Sequence, residues 1–475
     1  MRILAIDQGT TSTRALTMGA DGRLTPLVQI EHRQHYPAPG HVEHDALELL
    51  ANVARCLEAG AGADVVGLAN QGESCLAWDA DDGMPVGPVI VWQDDRTAGE
   101  TAALAAEGIG PEVMARAGLP LDPYFSASKL GWILRANPRA RALADRGRLR
   151  LGTTDAYFRD RLTGRFETDV ATASRTSLMN LATGAWDPEL CRIFGVPIDA
   201  LPAIGPTSGR LGDLAGGLAL GASIVDQQAA LYGHGCRGPG EAKITFGTGA
   251  FVQCVTGALC RPEKPGPLPT VAWRRDGEPM TYALDGGVYA AAAAVNWARD
   301  LGLFADTAEI DRFETAPAID RGIAFVPALA GLGCPHWSRT ARGSWLGLAL
   351  ADGAADLMQA LLEGIALRTA EVLRSMAAEQ PFEGPLSVDG GLSRNPYFTG
   401  FLAAMAERPV TVSDEPELTA AGLAQMAGEA AGLAVEARRE GTVVEPAAGS
   451  AAGVRARRFA AAVRAVEAFA AETAV

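Results

Sequence analysis

Two stretches of the chain repeat one design. RILAIDQGTTSTRALTM (2–18) and AKITFGTGAFVQCV (242–255) each run an apolar strand into a turn carrying Gly-Thr and out again into a second apolar strand. A chain of 475 residues is too long for one simple core. Two halves that each open on such a hairpin suggest an internal duplication, with one domain over 1–235 and another over 236–475. The run GHGCRGPG (233–240), four glycines and a proline in eight residues, supplies the break between them.

The rest of the pattern is α/β. RILAID, TRALTM and LTPLVQI read as strands, with GADGR as a type I′ turn. DALELLANVARCLEAG has apolar residues at helical spacing and stops at Gly60. VVGLANQ and PVIVWQD return as strands, so strands and helices alternate. PLSVDGGLSRNPYFTGFLAAMAE reads as a buried strand, a Gly-Gly turn and a helix. The Ala-rich C-terminal stretch reads as helix interrupted by a loop, ARREGTVVEPAAGS.

Composition excludes several partners. A net charge of −15 argues against nucleic acid and against an anionic membrane surface, both of which reward basic patches. It leaves ATP open, since a nucleotide needs only a local cluster of donors. No run of about 20 apolar residues occurs, so no membrane span is expected. The opening has no basic n-region followed by an apolar stretch, so no signal peptide is expected. The seven cysteines form no C-x-x-C pair and read as reduced thiols in a cytoplasmic protein. HRQHYPAPGHVEH holds four histidines without metal-ligand spacing and reads as a polar loop.

Four stretches carry chemistry, each with a plainer reading beside it. DQGTTS (7–12) is either an ordinary β-turn or a turn whose backbone N–H groups and hydroxyls hold a phosphate, with Asp7 at the strand end able to hold Mg²⁺. FGTGAF (246–251) offers the same choice, with Thr248 between two glycines. In DGGLSRNP (389–396) adjacent glycines let the backbone pass close to a planar ring, though such turns are common in α/β folds. Asp226 in VDQQAAL is either an acid aimed into a site or a helix N-cap. The usual nucleotide cradles are absent. None of the three lysines, Lys129, Lys243 and Lys264, follows a glycine, so there is no Gly-Lys-[Ser/Thr]. GHGCRG follows a helix-like run and precedes a strand, the reverse of the dinucleotide-binding context.

Taken together, DQGTTSTR, YPAPGHVEHD, PVIVWQDDRTA, GLPLDPYFSASKLGWIL, DVATASRTSL, DQQAAL, TFGTGAF, GLGCPHWSRTARGSWLGL and VDGGLSRN, in this order from Ile3 to about Gly432, resemble the FGGY carbohydrate kinases and their glycerol kinase branch most closely. The resemblance implies two ribonuclease-H-like domains of the actin-like ATPase fold, facing a central cleft. It implies ATP and Mg²⁺, a small polyol or sugar as acceptor, and dimers as the assembly the family admits. Asp7 matches the family's Mg²⁺ position, and Thr10, Thr11, Ser12 and Arg14 its phosphate contacts. Thr248, Asn296, Gly391 and Asn395 match its nucleotide contacts. Ala292 stands where glycerol kinases have a nucleotide-contacting glycine. Glu73, Trp92, Tyr124, Asp226, Gln227 and Phe251 match the acceptor side, with Asp226 taking the proton of the attacking hydroxyl.

One departure concerns the acceptor. Gly72, in NQGES, stands where glycerol kinases carry an arginine that clamps a terminal hydroxyl, and Asp95 stands where an arginine is common. A charged hydrogen bond lost there is worth roughly 1.5–3 kcal/mol. Either glycerol is held more weakly, or the vacated space admits a longer polyol or a ketose, and the second reading is slightly favoured. A non-catalytic nucleotide-binding protein of this fold is the alternative class. It would be expected to have lost Asp7 or Asp226, and both are present.

Overall fold

The computed structural model describes residues 1–433, 435, 440–449 and 451–473. The chain forms two compact units. The first holds Met1–Gly235, Thr270–Tyr282 and a later stretch that begins at Glu417. The second begins at Cys236, inside the Gly-rich break, and takes the remainder. The C-terminal half of the sequence thus returns twice to the first unit.

The first unit is built on a five-stranded sheet. Its strands stand in the order Ala219–Val225, Val65–Asn70, Arg2–Gln8, Ser12–Gly19, Leu24–Glu31. Arg2–Gln8 pairs antiparallel with Ser12–Gly19 and parallel with Val65–Asn70, which pairs parallel with Ala219–Val225. Val65–Asn70 is buried at every residue, as a central parallel strand covered on both faces must be. On one face lies the helix Ala46–Ala59, capped by Asp45, whose carboxylate accepts from the Leu47 and Glu48 N–H groups. The helix Leu418–Ala430 comes so close to the sheet that only glycines fit beneath it. A Cβ on Gly67 would lie 2.6 Å from Leu423, and one on Gly221 would lie 2.9 Å from the Ala427 carbonyl. The same helix crosses Asp226–Gly233 with Gly422 and Gly233 at the contact, where a Cβ would meet carbonyl oxygens at 2.0 and 1.9 Å.

The second unit repeats the plan within a seven-stranded sheet. There the order runs Thr281–Val288, Ala250–Gly257, Ala242–Phe246, Leu386–Asp389, Val410–Ser413. Its opening hairpin is antiparallel, and the next two strands pair parallel, as in the first unit. The helix Ala354–Glu379 forms the spine of its core, with Leu361, Ile365, Ala366 and Val372 fully buried.

Three local readings change. GADGR is a four-residue loop closed by the Gly19 N–H on the Arg23 carbonyl (3.2 Å), with only Gly22 left-handed (φ 72°), so it is not a two-residue type I′ turn. In PVIVWQD only Val89–Ile90 is strand. Asp94 folds the chain into a turn by accepting from the Val42 N–H (2.6 Å) and from Arg96. Within ARREGTVVEPAAGS, Gly441–Val444 is an edge strand antiparallel to Val410–Ser413. Positions 437–439 and 450 of that stretch lie outside the described residues. Among the described residues no helix is long and apolar enough to cross a membrane.

Candidate active site

Three adjacent parallel strands of the first unit end together. Asp7 is level with Ala69, which is level with Ile224, and Asn70 is level with Val225. The segments that leave these ends carry Asp7 to Thr11, Gly72 and Glu73, and Asp226 and Gln227. Ligand sites of open α/β sheets form outside the carboxyl ends of the strands, so register alone collects the three acids.

The first loop is a tight hairpin. The Gly9 N–H donates to the Ser12 carbonyl (3.0 Å), leaving Thr10 and an exposed Thr11 at the tip and Ser12 buried. The Thr10 hydroxyl accepts from the Trp92 indole N–H (3.0 Å), and its carbonyl meets His32 Nε2 (2.9 Å). His32 stands edge-on to His44 at 4.8 Å, and His44 Nδ1 meets the Gln71 amide nitrogen (3.2 Å). Both rings are buried, so this pair is packed behind the loop and is not part of a polar surface loop. Desolvation pushes both histidines below their usual range, His44 to about 3, so they are neutral props.

Asp7 lies directly across the hairpin from Arg14. Arg14 Nη1 donates to both oxygens of Glu417 (3.0 and 3.1 Å). Desolvation raises Asp7 to about 6, the Arg14 charge holding it lower than burial alone would and Glu417 pushing it up. Its Oδ1 is sealed from solvent and has no hydrogen-bond partner. A carboxylate oxygen left unserved at a strand end suits a divalent cation. Mg²⁺ usually takes one or two carboxylates and completes its shell with water and substrate phosphates. No cluster of three or more His, Cys, Asp or Glu that could hold a metal occurs among the described residues.

All but one of the residues expected on the acceptor side also lie in this unit. Glu73 is buried, sits in the left-handed region (φ 58°), and its Oε1 accepts from Arg175 Nε at 2.7 Å. Trp92 is held by its N–H on the Ser74 hydroxyl (3.1 Å) and meets Tyr124 edge-on at 5.6 Å. The buried Lys129 ties the two aromatics together, donating to the Tyr124 carbonyl (2.9 Å) and the Val91 carbonyl (3.3 Å). Asp226 is the first residue of its helix, whose N-cap is Val225, so the N-cap reading is corrected. Its Oδ1 accepts from the Gln227 N–H at 2.7 Å. At Gly72 a Cβ would lie 2.9 Å from the Val225 Cγ2 methyl, so a side chain there would require that methyl to shift.

The second unit presents its own strand ends. Thr245 and Asp389 are level on parallel strands. From the first issues Gly247-Thr248-Gly249, with Gly247 and Thr248 exposed. The loop is anchored through its carbonyls: the Ala292 N–H donates to Gly247 (3.1 Å), and those of Ala291 and Ala293 to Thr248 (2.9 and 3.1 Å). Asn296 lies one turn beyond Ala292 in that helix, Ala292–Asp300, and is exposed. From the second strand issues Gly390, left-handed at φ 93°, whose Cβ would meet the Phe246 carbonyl at 2.1 Å, so only glycine fits. Gly391 is exposed. Asn395 caps the next helix, accepting from the Phe398 N–H (2.7 Å), while its amide donates to the Ile310 carbonyl (2.9 Å) and the Asp311 carboxylate (3.0 Å). Phe251, the remaining acceptor-side residue, belongs to this unit, opposite Thr245 on the hairpin.

Comparison with known proteins agrees with this layout. Residues 2–227 match the N-terminal domain model of the FGGY family of carbohydrate kinases, and residues 242–431 its C-terminal domain model. The chain belongs to the FGGY family of carbohydrate kinases. It is 43% identical to a glycerol kinase of Rhodospirillum centenum over 91% of its length and 90% of that protein. It is 42% identical to one of Thermus brockianus over 90% of each. The fold matches the crystal structure of Plasmodium falciparum glycerol kinase with ADP at a TM-score of 0.90, with 28% identity and 98% of both chains covered. This FGGY kinase is therefore an ATP-dependent phosphotransferase of the glycerol-kinase-like type, acting on a hydroxyl of a small polyol or sugar.

Sequence reading missed four supporting residues of this kinase. Arg175, Lys129, His32 and Glu417 hold Glu73, the aromatic pair, Thr10 and Arg14 respectively. Arg175, Lys129 and His32 lay in quoted stretches and Glu417 outside them, and only the fold pairs each with its target.

Proposed function

We propose that the protein transfers the γ-phosphoryl group of Mg-ATP to a terminal hydroxyl of glycerol. The observation that carries this reading is the gathering of Asp7, Glu73 and Asp226 at three adjacent strand ends, with Val225 against Gly72. A Cβ at Gly72 would lie 2.9 Å from the Val225 Cγ2 methyl, so the position of the missing arginine is narrower than a glycine suggests, which favours the shorter acceptor. The relatives named above are glycerol kinases, which adds weight in the same direction.

The roles follow from the chemistry. Asp226 takes the proton of the attacking hydroxyl, its carboxylate oriented by the Gln227 N–H. Glu73 accepts from a second hydroxyl, and Trp92 and Tyr124 wall the carbon chain. The transition state of phosphoryl transfer is loose, so positioning and charge stabilisation do most of the work. The amides and hydroxyls of Thr10, Thr11 and Ser12, with Arg14, meet the transferring group. Asp7 would hold Mg²⁺, which supplies charge neutralisation on the phosphates. Thr248, with Ala292 and Asn296 beyond it, serves the remaining phosphates and the ribose end. Gly390 and Gly391 pass under the adenine, and Asn395 fixes that turn. All seven cysteines are free thiols and six are buried, which suits a reducing cytoplasm.

The test is ADP release at fixed Mg-ATP against glycerol, tetritols, pentitols, xylulose, ribulose and no acceptor, with Asp226→Asn beside the wild type. Glycerol turnover that the variant loses by 100-fold or more is expected. A pentitol or ketose preferred over glycerol would return the acceptor to the longer class. No acceptor exceeding the blank would overturn the reading.

A further inference from the structure

Arg175 lies in DVATASRTSL, a stretch to which the reaction assigns nothing. Three features place its guanidinium at the acceptor end of the first unit. Its Nε donates to Glu73 Oε1 at 2.7 Å, with both side chains more than nine-tenths buried. Its Cζ stands 5.4 Å from the Phe125 ring centre, next in sequence to the acceptor-side Tyr124. The start of the helix Ser126–Ala136 bridges the two partners. The Ser126 hydroxyl donates to the Glu73 carbonyl (2.9 Å), and the Ala127 N–H donates to the Thr176 carbonyl (2.8 Å).

The arginine is itself held rigidly. It follows a four-residue helix, Val170–Ala173, capped by Asp169, whose oxygens accept from the Ala171 and Thr172 N–H groups (2.8 and 3.2 Å). The bond is charge-assisted, and a planar guanidinium restricts the direction from which it is made more than an ammonium would. Glu73 needs that help, because it occupies a left-handed backbone that non-glycine residues seldom adopt. A buried carboxylate without a cation beside it would be costly to keep.

We infer that Arg175 is a specificity-determining positioning residue: by pairing with Glu73 it fixes the carboxylate that meets the acceptor. The consequence is chemical. The pair presents an oriented carboxylate to a hydroxyl donor, and the arginine's charge is already matched. The pocket therefore selects neutral polyols by a hydroxyl remote from the one phosphorylated, and it does not select acceptors that bring their own carboxylate. The inference rests on the acceptor reading above.

The experiment compares glycerol with propane-1,2-diol, which lacks that remote hydroxyl, in the wild type, Arg175→Met and Arg175→Lys. A site built to hydrogen-bond a hydroxyl discriminates strongly against an analogue without it. Arg175→Met is expected to raise the glycerol KM at least 10-fold and to lower the glycerol-to-propanediol ratio of kcat/KM by a similar factor. The KM for Mg-ATP should stay within twofold. Arg175→Lys should fall between, and it decides the matter by a threefold or greater drop in the ratio if Arg175→Met does not fold. Equal losses on both substrates, with the ratio unchanged, would mean a merely structural arginine and overturn the inference. Wild type that phosphorylates no polyol would instead sink the acceptor reading, and the inference with it.

Discussion

Asp7→Asn makes the sharpest test of the metal position, because it predicts a gain and a loss in one molecule. In the metal-free protein Asp7 titrates at about 6 in the folded state, against a usual value of 3.8. The folded chain therefore keeps a proton that the unfolded chain releases, and stability falls as pH rises through this window. Above pH 6 the fold carries a confined charge. The difference corresponds to a cost of roughly 1.5 kcal/mol at pH 5, growing to about 3 kcal/mol at pH 7.5. The residue retains some accessible surface, so the larger figure is a ceiling. Urea unfolding in EDTA should show Asp7→Asn more stable than the wild type, by a margin that widens by about 1 kcal/mol between pH 5 and 7.5. Saturating Mg-ATP should then stabilise the wild type more than the variant, which should have lost turnover. A variant no more stable at pH 7.5 in EDTA, or a margin that ignores pH, would refute the account of Asp7 as a confined carboxylate awaiting a cation.

Two further substitutions probe the two units separately. Gly72→Arg, which installs the side chain glycerol kinases carry, should cost about 1–3 kcal/mol of stability without improving glycerol kcat/KM, because its Cβ meets Val225. Adding Val225→Ala should recover most of that stability in the same urea titration, and failure to recover it would place the obstruction elsewhere. Asn395→Ala removes a helix cap and the ties to Ile310 and Asp311, so a loss of about 2 kcal/mol is expected. A raised KM for ATP with an unchanged acceptor KM would accompany it.

The hairpins at Asp7 and at Gly247 were legible because strand periodicity and turn chemistry are local. A short Gly-containing tip between apolar runs leaves the backbone little choice. The strand–Gly-Gly–helix unit at Asp389 was legible for the same reason. The edge strand Gly441–Val444 was not, since its exposed short run is strand only by pairing with Val410–Ser413. The candidate site residues were read from motif order, and register places Asp7, Glu73 and Asp226 at or just beyond adjacent strand ends. What escaped were partners far apart in sequence. Arg175 and Glu73 are separated by 102 residues, and Arg14 and Glu417 by 403. Nothing local to either member of such a pair announces the other. Gly72 shows the same limit in reverse. A small residue in the sequence suggested space, and a methyl from a neighbouring strand end narrows it.

The return of the chain to the first unit at Glu417 has a consequence for how the protein is made. The strands that lead to Asp7, Glu73 and Asp226 are all synthesised within the first half of translation. The helix Leu418–Ala430, which covers the grooves at Gly67 and Gly221, emerges only near the end, as does the carboxylate that Arg14 grips. At ordinary elongation speeds the gap between Arg14 and Glu417 is roughly 20–80 s. During that interval the nascent chain carries the phosphate loop with its arginine unanchored and an apolar sheet face uncovered. An incomplete chain released by an early stop thus lacks a finished acceptor unit. Until the helix Leu418–Ala430 arrives, the grooves at Gly67 and Gly221 stay open, and exposed apolar surface of that kind is what makes an unfinished chain prone to aggregate.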